Sequence, residues 1–337
     1  MKKGISVIVC CYNAELRLPK TLEYLANQKI NSDVSVEIII VNNASTDKTV
    51  DVATSEWRKY NSNFSFNIID EFIQGLIYAR CKGVESAEYE YVVFCDDDNW
   101  LQSDYLQNAF SLMESNPQIG ALGGQGIAVS DVELPDWFTD YENGYATGKQ
   151  AAFSGDVSKR GYLWGAGLVA RLSLLYKVFD KKYPFLLVGR EGGLLLAGDD
   201  AEICKRILLL NYSLYYDQSL LFYHYIPSNR LSWENRKKMF QGFDISDVIL
   251  RKYEIIYLET CKRKINQFLE IISAFLKKMI YFIFFNKKHD KITPVLRAKV
   301  GLFFKNEALV NDADYKLILK YTFMNSFKTA QSFKQEK

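Results

Sequence analysis

The sequence predicts an α/β fold in which a mostly parallel β-sheet carries helices on both faces. Short apolar runs rich in β-branched residues alternate with helical segments through residues 1–125. This order is typical of β-α-β units, whose connections cover the two faces of a sheet. Polar clusters follow three of the runs, and parallel sheets bind ligands at the carboxyl ends of their strands.

The elements of this first part follow in order. Strands are predicted at residues 5–10, 36–41, 64–69, 91–95 and 119–123. Helices are predicted between them at residues 15–28, 47–60, 75–86 and 103–114.

The second part of the chain is less regular. Residues 126–165 lose periodicity, which is typical of an excursion that binds substrate over the sheet. The later elements are a structured segment at 162–171, a helix at 172–179, a glycine-rich loop at 189–193, a helix from Asp199, strands at 212–217 and 220–226, and helices from about 231 onward.

Composition and charge divide the chain. Its 337 residues are 48% hydrophobic and 24% charged, which excludes wholesale disorder. Residues 245–337 carry 18 Lys and Arg against 9 Asp and Glu, whereas the rest carries 24 basic and 31 acidic residues. The six cysteines form no Cys-x-x-Cys pair, which favours reduced thiols and a cytoplasmic protein.

An acidic cluster, Asp96, Asp97, Asp98 and Asn99, follows the apolar run 91–95. Three like charges repel each other, and they are costly to remove from water. A divalent cation, Mg²⁺ or Mn²⁺, is a physical reason to keep them together. The alternative is an acidic turn that caps the next helix, and the cluster alone does not separate the two interpretations.

Four segments in the correct order resemble the signature of family 2 glycosyltransferases. They are Ile-Val-Cys-Cys-Tyr-Asn at 8–13, Val-Asn-Asn-Ala-Ser-Thr-Asp at 41–47, Asp-Asp-Asp-Asn at 96–99 and Gly-Asp-Asp-Ala-Glu at 198–202. The similarity covers about residues 4–245 and extends to bacterial glycosyltransferases of polysaccharide biosynthesis. It implies a Rossmann-like GT-A fold, an inverting reaction and a divalent metal, Mn²⁺ or Mg²⁺.

The resemblance also implies a division of the chain. Residues 1–245 would be the catalytic domain, with a nucleotide-binding half at about 1–125 and an acceptor-binding half at about 126–245. Residues 246–337 would be a basic, aromatic helical extension.

The resemblance implies a set of residues that bind a nucleotide-sugar donor. They are Cys10, Tyr12, Asn43, Arg80, Asp96, Asp97 and Arg230. Tyr12 and Asn43 match positions that hold the base, although Asn43 replaces the commoner Asp.

The charged members of this set have separate expected partners. Arg80 matches an arginine that faces the phosphates, for which a solvated surface arginine is the alternative. Asp96 is expected near the ribose, and Arg230 lies in a segment that resembles a loop over the diphosphate. Asp98 matches the metal ligand, and His224 would complete that site unless it is a core histidine.

A second acidic pair, Asp199 and Asp200, opens a predicted helix. The resemblance assigns Asp200 as the catalytic base that takes a proton from the acceptor hydroxyl. Asp199, Glu202 and Trp164 would lie on the acceptor side. The alternatives are an acidic helix N-terminus for the carboxylates and core packing for Trp164.

The implied partners are a nucleotide-diphosphate sugar and a saccharide or lipid-linked saccharide, with no nucleic acid. Residues 268–285 are apolar and aromatic but contain Glu270, Lys277 and Lys278, which disfavours a membrane span. We predict a helix lying on an anionic membrane, and hence a peripheral protein on the cytoplasmic face. The alternative is a helix packed on the catalytic domain.

Two other functions compete with a glycosyltransferase. A nucleotidyltransferase would require a glycine-rich phosphate loop after the first strand, where Cys11, Tyr12, Asn13 and Ala14 stand instead. A scaffold that binds a nucleotide sugar without catalysis is the other.

Overall fold

The computed structural model describes residues 1–188, 197–260, 272, 273, 275, 276 and 312–322. The chain divides into two compact units, Met1–Asp247 and Val248–Lys337. The predicted glycine-rich loop at 189–193 and most of the predicted helix at 268–285 lie outside the described residues. The functional assignment of the two predicted halves of residues 1–245 stays a prediction.

Strands and helices alternate through the first unit as the sequence predicts. The strands are β1 (Lys2–Cys11), β2 (Ser35–Asn43), β3 (Ser65–Glu71), β4 (Tyr89–Asp96), β5 (Asn99–Leu101), β6 (Ile119–Val129), β7 (Gly155–Asp156), β8 (Val169–Arg171) and β9 (Ser213–Tyr225). The helices are α1 (Leu18–Ala26), α2 (Thr49–Trp57), α3 (Leu76–Ser86), α4 (Tyr105–Ser115), α5 (Phe138–Tyr141), α6 (Leu172–Val178), α7 (Asp199–Leu209) and α8 (Trp233–Thr260).

The strands form one sheet in the order β3-β2-β1-β4-β8-β6-β9-β5, with β7 paired to β9. The β1–β2, β1–β4, β2–β3 and β6–β9 pairs are parallel, whereas β5, β7 and β8 pair antiparallel to their neighbours. The α/β fold with a mostly parallel central sheet is therefore confirmed. The ends of β1, β2 and β4 lie side by side, because Cys10 aligns with Val41 on one side and with Asp96 on the other.

Both faces of the sheet are covered by helices. Alternate residues of β1, among them Val7, pack with α1 and α4 in a buried cluster that includes Leu22 and Leu106. On the opposite face α3 lies so close to β1 that a Cβ on Gly83 would be 2.4 Å from Ile8 Cγ2. Apolar side chains of the size of Leu contribute about 1.5–3 kcal/mol each when fully buried, so these two layers hold the strand ends in place.

Three details of the sheet differ from the sequence prediction. β9 is continuous through residues 217–220, where the sequence predicts a break. The structured segment expected at 162–171 is a strand only over Val169–Arg171, and the three-residue strand β5 was not predicted. β5 holds Asn99, the last residue of the acidic cluster, against His224 of β9.

In the second unit, the described residues include the end of α8 and a helical segment at 313–322. Lys252 Nζ donates to Asp312 at 2.9 Å and to Asp314 at 2.7 Å, and Tyr315 OH donates to Glu259 at 2.8 Å. Within the described part of the chain, we find no helix with the length and apolarity that a membrane span requires.

Candidate functional site

Each of the three consecutive aspartates after β4 has a different cationic neighbour. Asp96 Oδ1 lies 3.8 Å from Arg80 Nη2 of α3. Asp97 accepts two hydrogen bonds from Arg17, at 2.8 and 2.9 Å. The carboxylate of Asp98 points to a third group of partners on the other side of the turn.

Asp98 faces β9 and the segment that follows it. Its Oδ1 lies 3.6 Å from His224 Nε2, and its Oδ2 lies 3.8 Å from Arg230 Nη1. Burial alone would raise the pKa of Asp98, but His224 and Arg230 outweigh burial and lower that pKa to about 2. Asp98 is therefore ionised at any physiological pH.

The side chain of Asn99 forms hydrogen bonds within the acidic cluster, and the sequence did not predict this role. Its Oδ1 accepts the Asp96 N–H at 3.2 Å, and its Nδ2 donates to Asp98 Oδ1 at 3.2 Å. Asn99 is also aligned with His224 in the β5–β9 pair. Asn99 thus links the strand that ends at Asp96, through its side chain, to the strand that carries His224, through its main-chain pairing.

Arg80 connects the two acidic motifs. Its side chain is 3% exposed, and its Nη1 donates to Asp199 Oδ2 at 2.6 Å while Nη2 faces Asp96. The predicted alternative of a solvated surface arginine is therefore wrong. Gly165 is required beside it, because a Cβ there would lie 2.4 Å from Arg80 Nη2.

Asp200 stands at the start of α7, next to Asp199. Its Oδ2 accepts the Gly165 N–H at 2.8 Å, and its Oδ1 accepts the Ala201 N–H at 2.7 Å. Burial and the negative charge of Asp199 raise the pKa of Asp200 to about 6, against the lowering effect of Arg80 and the two N–H groups. Gly198, at φ 113°, supplies the left-handed residue from which the helix starts.

Asn43 is placed differently from a base-binding residue. It is 4% exposed. Its Nδ2 donates to the carbonyls of Glu71 and Ile73 at 3.2 and 2.7 Å, and its Oδ1 accepts the Gly75 N–H at 2.8 Å. The amide therefore shapes the loop between β3 and α3, and the expected direct contact of this side chain with a base has to be revised.

Two residues that were predicted to contact the sugar acceptor are buried in the protein interior. Trp164 is 4% exposed and belongs to the main hydrophobic cluster, so it packs in the core as the alternative interpretation held. Glu202 is buried, accepts the N–H groups of Leu186 and Leu187, and pairs with Arg206 at 2.9 Å. The expected contact of Glu202 with the acceptor is therefore revised to a structural role.

The two remaining predicted residues lie at the end of β1. Tyr12 is 44% exposed and has its ring free to meet a ligand. Cys10 is aligned with Asp96, and burial raises the pKa of its thiol to about 12, so the thiol stays protonated.

The donor set around Asp98 suits a divalent cation that substrate oxygens complete. Asp98 is ionised, His224 Nε2 faces it, and the buried His224 Nδ1 has no hydrogen-bond partner. Mg²⁺ is commonly held by one or two carboxylates together with substrate phosphates. No group of three or more His, Cys, Asp or Glu side chains with metal-binding geometry occurs within the described ranges.

Comparison with known proteins shows what the chain is similar to. The family model described as Glycosyl transferase family 2 matches residues 6–160. The match covers just under half of the chain and agrees with the predicted family.

Individual relatives of the chain carry the names of transferase enzymes. Putative glycosyltransferase EpsH of Bacillus subtilis is 38% identical over 104 residues, which cover 31% of this chain and 28% of EpsH. Poly-beta-1,6-N-acetyl-D-glucosamine synthase of Staphylococcus epidermidis is 24% identical over 253 residues, which cover 74% of this chain and 57% of the synthase. The chain thus spans well under two thirds of either relative. Their names support the prediction of a transferase enzyme.

Solved structures share the fold. The structure of S. aureus TarS 1-349 in complex with UDP-GlcNAc matches with a TM-score of 0.54 and 16% identity, covering 99% of this chain and 92% of that one. Mannosyltransferase PcManGT from Pyrobaculum calidifontis in complex with GDP-Man and Mn²⁺ matches with a TM-score of 0.50 and 15% identity, covering 98% and 76%. The predicted GT-A architecture is confirmed by these matches.

We expect Asn43→Asp to lower the free energy of unfolding by about 1–3 kcal/mol, because a carboxylate cannot donate to the two carbonyls that the amide now satisfies. Urea unfolding measures the change. Asn63→Asp makes the same substitution at an exposed position and is expected to be neutral. Equal stability of Asn43→Asp and wild type would contradict the loop-forming role of Asn43.

Proposed function

We propose that this protein is an inverting glycosyltransferase that moves a sugar from a nucleotide-diphosphate sugar to an acceptor hydroxyl. The observation that carries the proposal is Arg80, which contacts both Asp96 of the donor motif and Asp199 beside Asp200. Two acidic motifs more than 100 positions apart in the sequence are therefore joined through one guanidinium. Such an arrangement suits a reaction with a leaving group on one side and an activated nucleophile on the other.

The donor would lie over the ends of β1, β2 and β4. The exposed ring of Tyr12 offers a face for the base, and Arg230 offers a guanidinium for the diphosphate. TarS and PcManGT were solved with UDP-GlcNAc and GDP-Man, which supports a nucleotide sugar as the donor class.

Asp98 and His224 would hold the divalent cation, Mn²⁺ or Mg²⁺. The Mn²⁺ in the complex of PcManGT supports this assignment. When bound, the cation neutralises the charge that develops on the departing nucleoside diphosphate. Arg230, at 3.8 Å from Asp98, would bring a second positive charge to the same oxygens.

Asp200 would act as the general base. The two main-chain N–H groups hold its carboxylate in a fixed orientation, and its pKa of about 6 leaves it ionised at neutral pH. The acceptor hydroxyl gives its proton to Asp200 as its oxygen bonds to the anomeric carbon, and the bond from that carbon to the diphosphate oxygen breaks. A single displacement of this kind inverts the anomeric configuration.

Polysaccharide assembly with a saccharide or lipid-linked acceptor is the context we propose, since one relative is a polysaccharide synthase.

We also propose that the second unit contacts an anionic membrane. Ile272, Phe275 and Leu276 follow helical spacing and are 39–53% exposed, and Lys277 and Lys278 come directly after them.

Nucleoside diphosphates with Mn²⁺ should stabilise the protein. Bound ligand at about 100 times its Kd adds about 2.7 kcal/mol to the free energy of unfolding, so the melting temperature should rise with UDP or GDP. Asp98→Asn should remove most of the Mn²⁺-dependent part of the rise. Asp104→Asn, which has no side-chain capping bond, should keep it. A melting temperature unchanged by every nucleoside diphosphate with Mn²⁺ would refute donor binding.

Asp200→Asn should lower kcat by about 10²–10⁴-fold, because the amide cannot accept the proton, while donor binding persists. In the wild type, kcat/KM should fall as pH decreases through about 6, since protonation removes the base. Initial rates of nucleoside diphosphate release across pH 4.5–8 with Asp104→Asn as control test both expectations. Undiminished turnover by Asp200→Asn would reject this base. Donor binding without turnover in wild type, whichever acceptor is supplied, would favour the non-catalytic scaffold.

Co-sedimentation with anionic vesicles tests the membrane contact. Wild type should pellet with phosphatidylglycerol vesicles, and Phe275→Ser with Leu276→Ser should stay in the supernatant because the apolar face is lost. Val132→Ser changes an exposed apolar residue of the first unit and should pellet as wild type does. Equal pelleting of all three proteins would count against contact through this segment.

A further inference from the structure

Asp97 is the least exposed of the three consecutive aspartates. It is 8% exposed, and both of its carboxylate oxygens accept hydrogen bonds from Arg17, through Nε at 2.8 Å and Nη2 at 2.9 Å. Thr21 Oγ1 of α1 donates to the Asp97 carbonyl at 2.8 Å. Side chain and main chain of the middle aspartate are thus both bound to the start of α1.

Arg17 makes a further contact just beyond the end of the neighbouring strand β1. Its Nη2 donates to the Tyr12 carbonyl at 3.4 Å, where β1 ends. One guanidinium therefore joins the end of β1, with the exposed Tyr12 ring, to the turn after β4, with Asp98. Planar, two-point pairing of this kind fixes the orientation of a carboxylate as well as its position.

The pairing of Asp97 with Arg17 also means that each of the three carboxylates has a different partner. Because Asp97 is anchored to Arg17, the flanking Asp96 and Asp98 can extend to Arg80 and to His224 from a main chain that does not shift. Groups behind metal ligands that orient them commonly change metal affinity 10–100-fold when they are substituted.

We propose that Arg17 is a positioning residue of the donor site, acting through Asp97, and that Asp97 touches neither donor nor metal. The inference rests on the proposed function. It differs from the expectation that Asp97 binds the donor directly, and the two interpretations make opposite statements about Arg17.

Calorimetric titration of UDP and of GDP in the presence of Mn²⁺, on the full chain, tests the proposal. Arg17→Gln and Asp97→Asn should each weaken the binding of the nucleoside diphosphate about 10–100-fold. The double variant should be no weaker than either single variant, because both remove one interaction. Arg17→Lys keeps the charge but loses the two-point geometry, so it should recover only part of the affinity.

Lys20→Gln is the matched control, since Lys20 lies on the same helix and pairs on the surface with Glu23. It should bind as wild type does. Melting temperatures measured in parallel separate positioning from stability. If Arg17→Gln lowers the melting temperature and leaves affinity unchanged, its role is structural and the proposal fails.

Two further outcomes overturn the proposal in distinguishable ways. A large loss of affinity in Asp97→Asn alone, with Arg17→Gln near wild type, would make Asp97 a direct donor ligand. Failure of the wild-type protein to bind any nucleoside diphosphate with Mn²⁺ would remove the proposed function, and this inference with it.

Discussion

The buried guanidinium of Arg80 is the interaction on which the arrangement of the site depends. It lies over the ring of Phe94 at 5.3 Å and faces the carboxylates of Asp96 and Asp199. Removing one partner of a buried ion pair commonly costs about 3–5 kcal/mol, because the other charge is left uncompensated. Without Arg80, the end of β4 and the start of α7 would repel each other, and Gly165 would face an empty space instead of a side chain.

The sequence allowed the positions of the motifs to be predicted but not their partners. Apolar runs that end in polar residues placed Tyr12, Asn43 and Asp96 at one edge of the sheet, and the parallel order of the first strands made this reliable. Arg17 and Asp97 lie 80 positions apart, and nothing in a helix start containing an arginine indicates which of three aspartates it meets. Those pairings depend on side-chain geometry, which composition and periodicity do not contain.

The polar residues of the site fall into two groups: those whose side-chain polar atoms are all hydrogen-bonded within the protein, and those that can still bind a ligand. Asn43 and Glu202 have their polar atoms committed to main-chain groups, so they determine the shape of loops. Asp98 and Asp200 keep unshared capacity on their oxygens. A polar residue in a signature can belong to either group, and the sequence alone does not show to which group Asn43 or Asp98 belongs. The difference appears only when every donor and acceptor is counted.

The charges around Asp98 support the proposal that a cation and two arginines act in one mechanism. The low pKa of Asp98 keeps this residue negative, and Arg80 is already engaged by Asp199. A diphosphate that approached this edge of the sheet without a cation would meet carboxylates at close range, where like charges are poorly screened. In the proposed mechanism Asp98 and His224 would hold a divalent cation that offsets this negative charge, and Arg230 would add a second positive charge from the segment after β9. Under that proposal donor binding and charge neutralisation would be one event, and Asp200, next to Asp199 at the start of α7, would act on the acceptor.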